Sequence, residues 1–303
     1  MQKFQTYIEN KVTYPNDRLF ASIIGESPSK GARSPYLWNA CFKELKINAE
    51  MLSFDVSESQ LTNLFKILEQ NPLFIGGAIA FPYKEKIAQL LGDRISPEAK
   101  VIGAVNCLYR NAEGNLFGTN TDGEASVISF EKAFGSISNK NFLLLGLGGV
   151  GKAVAVHFSR KIKLSKGIST QLKIVNRKLI DNNFLSNIGL PAVFNWSQID
   201  LAIRNVDIVI NCTSIGNINN PENTPLSSDQ MQKLSSNAIV YDIIYQPAET
   251  LLLQQAKNLG LKTLNGKGMN LEQAISAFKY ALHTYEPQIN ENSIRNAMSL
   301  TPL

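Results

Sequence analysis

A glycine-rich turn in the middle of the chain constrains the fold most. The run Gly146-Leu147-Gly148-Gly149-Val150-Gly151 has the spacing G-x-G-x-x-G and lies between the apolar segment Phe142–Leu145 and the Ala/Val-rich segment Val150–Arg160. An isolated match is weak because glycine is common, but a preceding strand and a following helix make it specific. A glycine-rich turn without a ligand is the alternative. The sequence predicts a dinucleotide site at a helix N-terminus, formed by Gly146, Gly148, Gly149, Val150 and Gly151.

Short apolar segments alternate with helical ones from residue 142 onward. The strand candidates are Phe142–Leu145, Leu172–Asn176, Ala192–Phe194, Asp207–Asn211, Ile239–Ile243 and Leu261–Leu264. Such alternation predicts a parallel sheet covered by helices on both faces. With the glycine turn, it indicates a Rossmann-type, doubly wound domain.

The first part of the chain reads as a separate α/β domain that follows a polar lead-in, residues 1–18. The strands predicted there are Leu19–Ile24, Met51–Val56, Leu73–Phe81, Val101–Tyr109 and Asn115–Gly118, the last two joined by a hairpin turn at Asn111–Gly114. Helices are expected at Ser34-Pro35, with serine as N-cap, at Gln60–Leu68, and directly after Pro82. We expect Leu271–Tyr285 and Asn292–Leu300 to be helices that return to this first domain.

Composition restricts the class of protein. The 303 residues suffice for two domains, and a net charge of +5 without basic clusters favours a phosphate-bearing ligand over nucleic acid. Cys41, Cys107 and Cys212 lie among apolar neighbours and are expected to be buried thiols in a reducing compartment. His157 and His283 are isolated, so no metal site is expected. Without an apolar N-terminal segment or a membrane-spanning stretch, we expect a soluble, cytoplasmic protein. The sequence gives no prediction of the oligomeric state.

The residues after the second strand of the Rossmann-type domain favour NADP over NAD. NAD sites usually place an acidic residue there to bind the ribose 2′-hydroxyl. Here the segment reads Asn176-Arg177-Lys178 and contains two cations. A guanidinium can bind a 2′-phosphate with two hydrogen bonds, and a lysine adds a point charge. Alternatively, Arg177 and Lys178 belong to a solvated loop.

Two residues are candidates for acid–base chemistry on a carbonyl substrate. Reduction of a carbonyl requires a proton donor, and a lysine can serve in that role. Lys84 follows the predicted strand end at Phe81-Pro82, and Asp122 lies in the turn Asn120-Thr121-Asp122-Gly123. Both follow strand ends, where α/β folds bind ligands. From spacing alone, Lys84 as a surface residue and Asp122 as a helix N-cap are equally acceptable.

Motifs along most of the chain resemble those of the shikimate dehydrogenase family. The surroundings of both candidates match, in Pro82-x-Lys84-Glu85 and in Asn120-Thr121-Asp122-Gly123, with Asn106 between them. Further matching segments follow in the family's order, namely Gly25 through Ser34-Pro35 to Asn39, Asn176-Arg177, Asp207 to Thr213, Asp242-x-x-Tyr245-x-Pro247-x-x-Thr250, and Gly266-x-x-Met269-x-x-x-Gln273-Ala274. The order of these motifs makes the resemblance specific.

The resemblance implies a fold, an activity and a set of site residues. It implies a discontinuous substrate-binding and catalytic domain, residues 1–121 and 267–303, and a Rossmann-type NADP-binding domain, residues 122–266, with the cleft between them. The implied reaction is the NADP-dependent, reversible reduction of 3-dehydroshikimate to shikimate, a step of aromatic amino-acid and chorismate biosynthesis. The implied catalytic pair is Lys84 and Asp122; the implied substrate ligands are Ser34, Asn106, Thr121, Tyr245 and Gln273; and Thr213, Gly266 and Met269 join the cofactor site.

Departures from the family's pattern concern the substrate pocket. The family's Ser-x-Ser-Pro is here Ala32-Arg33-Ser34-Pro35, and its Asn-Val-Thr is Ala78-Ile79-Ala80. The histidine before the first serine is replaced by Gly31. Each lost hydrogen bond costs about 0.5–1.5 kcal/mol, or about 1.5–3 kcal/mol with a charged partner. Two losses would weaken shikimate binding roughly 10²- to 10³-fold. Arg33 either contacts the substrate carboxylate or faces solvent.

Three functions therefore stay open at this point. The first is an authentic shikimate dehydrogenase with a reduced pocket. The second is a paralogue acting on quinate or another cyclic hydroxy acid, favoured by Ala32, Ala78 and Ala80. The third is an NADP-binding protein without turnover, which the presence of Lys84 and Asp122 disfavours. In the first two the partner is a small molecule.

Overall fold

The chain divides into two units, each with its own sheet. A computed structural model describes residues 4–13, 17–164, 171–177, 182–189 and 193–300. The first unit contains Met1–Thr121 and Gln273–Leu303, and the second contains Asp122–Glu272. Two residues used in the predictions above, Lys178 and Ala192, lie outside the described residues.

The first unit is built on a mixed five-stranded sheet. Its strands are β1 (Leu19–Gly25), β2 (Ala49–Asp55), β3 (Phe74–Ile79), β4 (Cys107–Arg110) and β5 (Leu116–Thr119). Their order is β2-β1-β3-β4-β5. The first three are parallel, whereas β4 pairs antiparallel with both β3 and β5. The carboxyl ends of β1, β2 and β3 therefore meet at one edge, which is where parallel sheets bind ligands.

The second unit contains a fully parallel sheet. Its strands are β6 (Phe142–Leu145), β7 (Leu172–Val175), β8 (Ile208–Asn211), β9 (Ile239–Asp242) and β10 (Lys262–Leu264). They are ordered β10-β9-β8-β6-β7. The sheet runs from β6 to β7 on one side and to β8 on the other, so the point where the order reverses lies at β6. This topology confirms the predicted doubly wound domain.

Helices connect and cover both sheets. Along the chain they are α1 (Ser34–Glu44), α2 (Glu58–Gln70), α3 (Lys84–Leu91), α4 (Pro97–Ile102), α5 (Asp122–Phe134), α6 (Gly149–Leu164), α7 (Asn182–Ile188), α8 (Ile199–Ala202), α9 (Ser228–Met231), α10 (Leu251–Asn258), α11 (Lys267–Leu282) and α12 (Glu291–Ser299). The boundary between the units falls within α11, and α12 belongs to the first unit.

Side chains alternate along β-strands, so each sheet buries two sets of residues. In the second unit, Phe142 packs edge-on against Phe158 of α6 at 5.2 Å, and Tyr241 lies 6.2 Å from Phe130 of α5. Residues of the opposite face, such as Val209, belong to a cluster with α8 and α10. Both faces of this sheet are covered, as alternation of strand and helix predicts.

The first unit also has an apolar core. Its buried cluster combines strand residues with the inner face of α2, for example Phe54 and Leu64. Phe278 of α11 packs against Trp38 and Phe42 of α1, with ring centroids 5.1 Å apart in both pairs. The C-terminal part of the chain thus supplies core residues to the first unit.

Several expectations about individual elements are wrong. The segment Val101–Tyr109 does not begin as a strand, because Val101 and Ile102 end α4. Ser96 caps that helix by accepting a hydrogen bond from Ala99 N at 3.1 Å, with proline next in the chain, and Gly103 ends it in a left-handed conformation with φ 72°. These start and stop signals outweigh the apolar run.

The N-terminal segment is not merely a polar lead-in. Phe4 and Ile8 are buried in the core of the first unit, and the Phe4 ring lies 6.2 Å from that of Phe20. The N-cap of α1 is Arg33 rather than Ser34, which is the first helical residue. Phe194 makes an isolated bridge to Val175 instead of belonging to a strand.

Candidate active site

The glycine turn between β6 and α6 has the geometry that a dinucleotide requires. Gly146 has φ 90°, and a side chain on Gly151 would place its Cβ 2.1 Å from the Gly146 carbonyl oxygen. By contrast, a Cβ on Gly148 would meet no atom within 4 Å. The turn is thus closely packed below and open above Gly148, where backbone N–H groups at the start of α6 can face a phosphate.

Asn176 fixes this turn from the neighbouring strand. Its side-chain Oδ1 accepts a hydrogen bond from Leu147 N at 3.0 Å, while Gly146 N donates to Val175 O at 2.8 Å. The next residue, Arg177, is exposed at the end of β7. The structure therefore brings predicted phosphate and 2′-phosphate residues to the same end of the sheet. Lys178 lies outside the described residues.

Thr213 lies beside the glycine turn because Asn211 holds it there. Asn211 Oδ1 accepts from Thr213 N at 3.0 Å and from Thr213 Oγ1 at 2.7 Å. The Thr213 methyl group is 2.8 Å from the position of a Cβ on Gly146. Leu145, Asn211 and Asp242 are register partners across β6, β8 and β9, so the three turns that follow them leave the same edge.

Asp242 is fully buried at this edge and accepts three hydrogen bonds. Its Oδ1 accepts from Asn211 Nδ2 and from Ile244 N, both at 3.1 Å, and its Oδ2 accepts from Thr250 Oγ1 at 2.7 Å. Burial raises the pKa of Asp242 to about 6, and the hydrogen bonds from Thr250, Ile244 and Asn211 partly oppose that rise.

The turn after β9 carries Tyr245, which is half-buried. Gly266 N donates to Ile244 O at 3.0 Å, and a Cβ on Gly266 would lie 1.8 Å from Ile243 O. Gly266 therefore packs directly against this turn, and Met269 is buried one turn into α11. Tyr245 and Gly266 are thus grouped at the carboxyl end of β9, and Met269 follows Gly266 by three residues.

Asp122 is the buried first residue of α5. The adjacent Gly123 lies against α6, since its Cβ would be 2.4 Å from Ala153 O and 2.2 Å from His157 Cδ2. The pKa of the buried Cys212 thiol is raised by burial and further by the carboxylates of Asp242 and Asp122. Asp122 is therefore within electrostatic range of the carboxyl end of β8.

A second set of predicted residues meets within the first unit. Asn106 Nδ2 donates to Thr121 Oγ1 at 3.0 Å, and Thr121 N donates to Asn106 Oδ1 at 2.8 Å. Thr121 Oγ1 also donates to Gln273 O at 3.2 Å, which joins α11 to the pair. Asn106 and Thr121 are buried, whereas Gln273 is half-buried. The structure thus brings Asn106, Thr121 and Gln273 together.

Lys84 begins α3 just beyond the carboxyl end of β3 and is half-buried. A cis peptide bond joins Phe81 to Pro82 ahead of it. Val105 N donates to Lys84 O at 2.9 Å, so the lysine backbone is tied to the residue that precedes Asn106. Ser34, also buried, lies at the N-terminus of α1.

Comparison with known proteins identifies the family. A model described as the shikimate dehydrogenase substrate binding domain matches residues 23–108. Shikimate dehydrogenase (NADP(+)) of Methanococcus vannielii is 31% identical over 287 residues, which cover 91% of this chain and 96% of the relative. The chain belongs to the shikimate dehydrogenase family. The Bacillus subtilis member is 34% identical over 264 residues, covering 85% of this chain and 89% of its own.

Solved structures of shikimate dehydrogenases have the same fold. A shikimate dehydrogenase in complex with NADP+ has a TM-score of 0.78 at 28% identity, covering 95% of this chain and 96% of its own. The Thermus thermophilus shikimate 5-dehydrogenase in complex with NADP(H) and shikimate has a TM-score of 0.75 at 25% identity, covering 94% of this chain and 100% of its own. Both comparisons confirm the predicted fold class.

The three alanines that depart from the shikimate dehydrogenase pattern do not share one environment. Ala78 is buried on β3 opposite Ile23 and Cys107, and the Cβ of Ala80 lies 2.8 Å from the position of a Cβ on Gly25. Ala78 is in the last part of β3 and Ala80 follows the strand, on the segment that leads to Lys84. Ala32 instead lines a cavity of ≈ 460 Å³ together with Ser29, Asn39 and Ser53. The lining of this cavity does not include Lys84, Asn106 or Thr121.

Some residues of this shikimate dehydrogenase-family site were not predicted individually. Asn211, Asp242 and Thr250 lie in motifs noted above but were not predicted to form one hydrogen-bonded cluster. The available signal was a polar residue at the end of each of two apolar strands. Similarly, the loop before α1 is anchored where Asp55 accepts hydrogen bonds from Ser29 N at 2.8 Å and from Ser29 Oγ.

The described residues show neither a metal cluster nor a membrane-spanning helix. Within the described ranges, no group of three or more His, Cys, Asp and Glu residues is arranged to hold a metal ion. In the same part of the chain, no helix combines the length and apolar character needed to cross a membrane. Cys41, Cys107 and Cys212 are buried, unbridged thiols, which confirms their predicted burial.

Proposed function

We propose that this protein is an NADP-dependent oxidoreductase that reversibly reduces 3-dehydroshikimate to shikimate, in the pathway to chorismate and the aromatic amino acids. The observation that carries the proposal is the match to relatives named shikimate dehydrogenase (NADP(+)) over 91% of this chain. We also propose that it works in the cytoplasm, which suits three buried, unbridged thiols.

The second unit is proposed to bind NADP. The glycine turn leaves open space above Gly148, and Arg177 offers an exposed guanidinium at the end of β7. Bound NADPH supplies a hydride to the substrate carbonyl. The residues proposed to hold it are Gly146, Gly148, Gly149, Val150, Gly151, Asn176, Arg177, Lys178, Thr213, Gly266 and Met269. Arg177 would bind the 2′-phosphate and thereby favour NADP over NAD.

Lys84 and Asp122 are proposed as the catalytic residues. Negative charge develops on the carbonyl oxygen during reduction, and the Lys84 ammonium would donate a proton to it. Asp122 would orient that ammonium. Their positions support these roles, since each begins a helix shortly after the end of a strand, Lys84 after β3 and Asp122 after β5.

The substrate is proposed to be a small cyclic hydroxy acid bound mainly by the first unit. Asn106, Thr121 and Gln273 are held together by hydrogen bonds, and the amides of Asn106 and Gln273 would bind hydroxyl groups. Ser34 and Tyr245 would lie near the carboxylate. The hydrogen bonds to Thr121 order the Asn106 side chain and the Gln273 backbone before the substrate arrives, which lowers the entropic cost of binding.

A second candidate is the reduction or oxidation of quinate or another cyclic hydroxy acid. Ala78 and Ala80 favour it, because they place methyl groups at the end of β3 and just beyond it, where the family pattern has an amide and a hydroxyl. Apolar positions cannot hydrogen-bond a substrate hydroxyl, so discrimination for shikimate is reduced. An NADP-binding protein without turnover is the third candidate.

A matched assay tests these proposals. NADPH oxidation with 3-dehydroshikimate is compared with NADP reduction by shikimate and by quinate. We expect Lys84→Ala to lower kcat by about 10²-fold or more, as loss of a general acid does, while KM changes little. Lys86→Ala, two residues along the same helix and exposed, is the control. No turnover with any substrate would contradict the first two candidates and support the third.

The alanine positions are tested by restoring the hydroxyl. Ala80→Thr should raise kcat/KM for shikimate about 2- to 10-fold, the value of one hydrogen bond of about 0.5–1.5 kcal/mol. Ala80→Val has the same shape without the hydroxyl and serves as its control. An equal effect of both variants would show that size, rather than hydrogen bonding, matters at this position.

A further inference from the structure

The buried pair Asn211 and Asp242 has no role in the proposal above. Both side chains are fully buried, with 0% exposure, at the carboxyl ends of the neighbouring strands β8 and β9. Burying a carboxylate and an amide is costly, and replacement by apolar residues is often stabilising. Stability therefore gives little reason for a polar pair here, which leaves positioning of neighbouring groups as the better explanation.

The pair controls two turns at once. Asn211 holds the turn after β8 through Thr213 N at 3.0 Å, Thr213 Oγ1 at 2.7 Å and Ile215 O at 3.4 Å. Asp242 holds the turn after β9 through Ile244 N at 3.1 Å and α10 through Thr250 Oγ1 at 2.7 Å. A single bond, Asn211 Nδ2 to Asp242 Oδ1 at 3.1 Å, joins the two arrangements.

Each turn contacts part of the proposed NADP site. The Thr213 methyl group lies 2.8 Å from the position of a Cβ on Gly146, so it packs against the glycine turn. Ile244 O accepts from Gly266 N at 3.0 Å, and Ile244 precedes Tyr245. Because β6, β8 and β9 are in register at this edge, the Thr213 methyl group packs directly against Gly146, and a displacement of Thr213 would shift the glycine turn.

We propose that Asn211 and Asp242 are positioning residues for NADP, acting through Thr213 on the glycine turn and through Ile244 on Gly266. The inference rests on the proposed NADP binding. It predicts a selective loss of cofactor affinity, since the pair and the residues it holds all lie in the second unit.

The test measures the Kd for NADPH by fluorescence, together with Tm and the KM for the second substrate. Asn211→Ala removes both hydrogen bonds to Thr213 and should weaken NADPH binding about tenfold, equivalent to about 1.4 kcal/mol. The KM for the 3-dehydroshikimate substrate should stay within about twofold of the wild-type value. Ser159→Ala is the control, because it also removes a buried polar group from the same unit, a hydroxyl that donates to Val156 O at 2.9 Å.

Two further variants keep the proposal testable if Asn211→Ala does not fold. Thr213→Val preserves the methyl group against Gly146 but removes the hydroxyl, and should weaken NADPH binding about 2- to 10-fold. Asp242→Asn retains an acceptor for Asn211 and Ile244 and can donate to Thr250, so it should keep most of the affinity.

The outcomes separate this inference from the proposed function. If the wild-type protein binds NADPH and folded Asn211→Ala and Thr213→Val bind it within twofold of wild type, the positioning role is wrong. If KM for both substrates rises in proportion to a fall in Tm, the pair is merely structural. A wild-type protein that binds no NADPH would refute the proposed function and this inference with it.

Discussion

Substitution of Gly123 by alanine should impair catalysis more than stability. The added Cβ would lie 2.4 Å from Ala153 O and 2.9 Å from Ala153 C, both backbone atoms that cannot rotate away. Carbon and oxygen atoms normally stay well over 3 Å apart, so the start of α5 must move by about 1 Å to relieve the contact. Asp122 is the residue directly before Gly123 and would move with it.

The two consequences of that displacement differ in size. Overpacking of this kind costs about 1–3 kcal/mol, but replacement of glycine in a helix returns about 1 kcal/mol. The net loss of stability is therefore about 0–2 kcal/mol, or at most a few degrees in Tm. A displacement of about 1 Å in a catalytic group can lower the rate about 10²-fold. We expect kcat to fall about 10- to 100-fold.

Steady-state kinetics and thermal denaturation test this prediction together. Glu124→Ala changes the next, exposed residue of α5 and should leave kcat unaltered. Adding His157→Ala to Gly123→Ala should not restore activity, since it removes the side-chain contact but not that with Ala153 O. A Gly123→Ala enzyme with kcat within twofold of wild type would refute the idea that this contact positions Asp122.

Three other perturbations have defined outcomes. Arg177→Ser should weaken NADPH binding about 10- to 100-fold, because a hydrogen bond to a charged group contributes about 1.5–3 kcal/mol, and should leave the affinity for NADH unchanged. Arg204→Ser, at an exposed position, is the control, and equal losses of affinity for both cofactors would contradict the prediction. Burial raises the pKa of Asp242 to about 6 from an unfolded value near 3.9, so the folded protein binds the proton more tightly than the unfolded chain does. The free energy of unfolding gained from this protonation is complete below about pH 4 and is lost as the pH rises through 6. The stability of Asp242→Asn relative to wild type should therefore rise between about pH 4 and 7, by up to about 3 kcal/mol in denaturant titrations, and a difference independent of pH would contradict burial as the cause. Arg110 is buried and donates to Phe74 O at 2.6 Å, Leu68 O at 3.1 Å and Asn71 O at 2.8 Å. Arg110→Met should therefore destabilise the first unit by about 3 kcal/mol or more in denaturant titrations. A loss under 1 kcal/mol would be inconsistent with these bonds.

The parts of the fold that the sequence predicts are those set by local rules. Strand β6, the glycine turn and the start of α6 follow from an apolar run, required backbone conformations and a helix start, all within a few residues. The hairpin between β4 and β5 follows similarly from Asn111–Gly114, where Gly114 N donates to Asn111 O at 3.0 Å. Such features do not depend on distant residues.

The expectations that proved wrong involve distant contacts or competing local signals. Phe4 is buried because the sheet of the first unit offers Phe20 as a partner, which no pattern within residues 1–18 indicates. Val101 and Ile102 are apolar and β-branched, but the cap at Ser96 and the stop at Gly103 decide their conformation. The contact between Asn211 and Asp242 depends on the register of β8 and β9, which no pattern within either strand specifies.

The same distinction explains why chemistry is easier to infer here than substrate. Lys84, Asp122 and the glycine turn are each proposed to serve one step of the reaction, so the identity of these residues is informative about the chemistry. At Ala78 and Ala80 the evidence is the absence of an amide and a hydroxyl that the family pattern has. A methyl group in their place excludes few ligands, so it does not identify the substrate. Each missing hydrogen bond changes affinity by about 0.5–1.5 kcal/mol, which is comparable to the difference between related hydroxy acids. Because Ala78 and Ala80 lie at and just beyond the end of β3, on the segment that leads to Lys84, we expect variants there to change which molecule is reduced before they change whether reduction occurs.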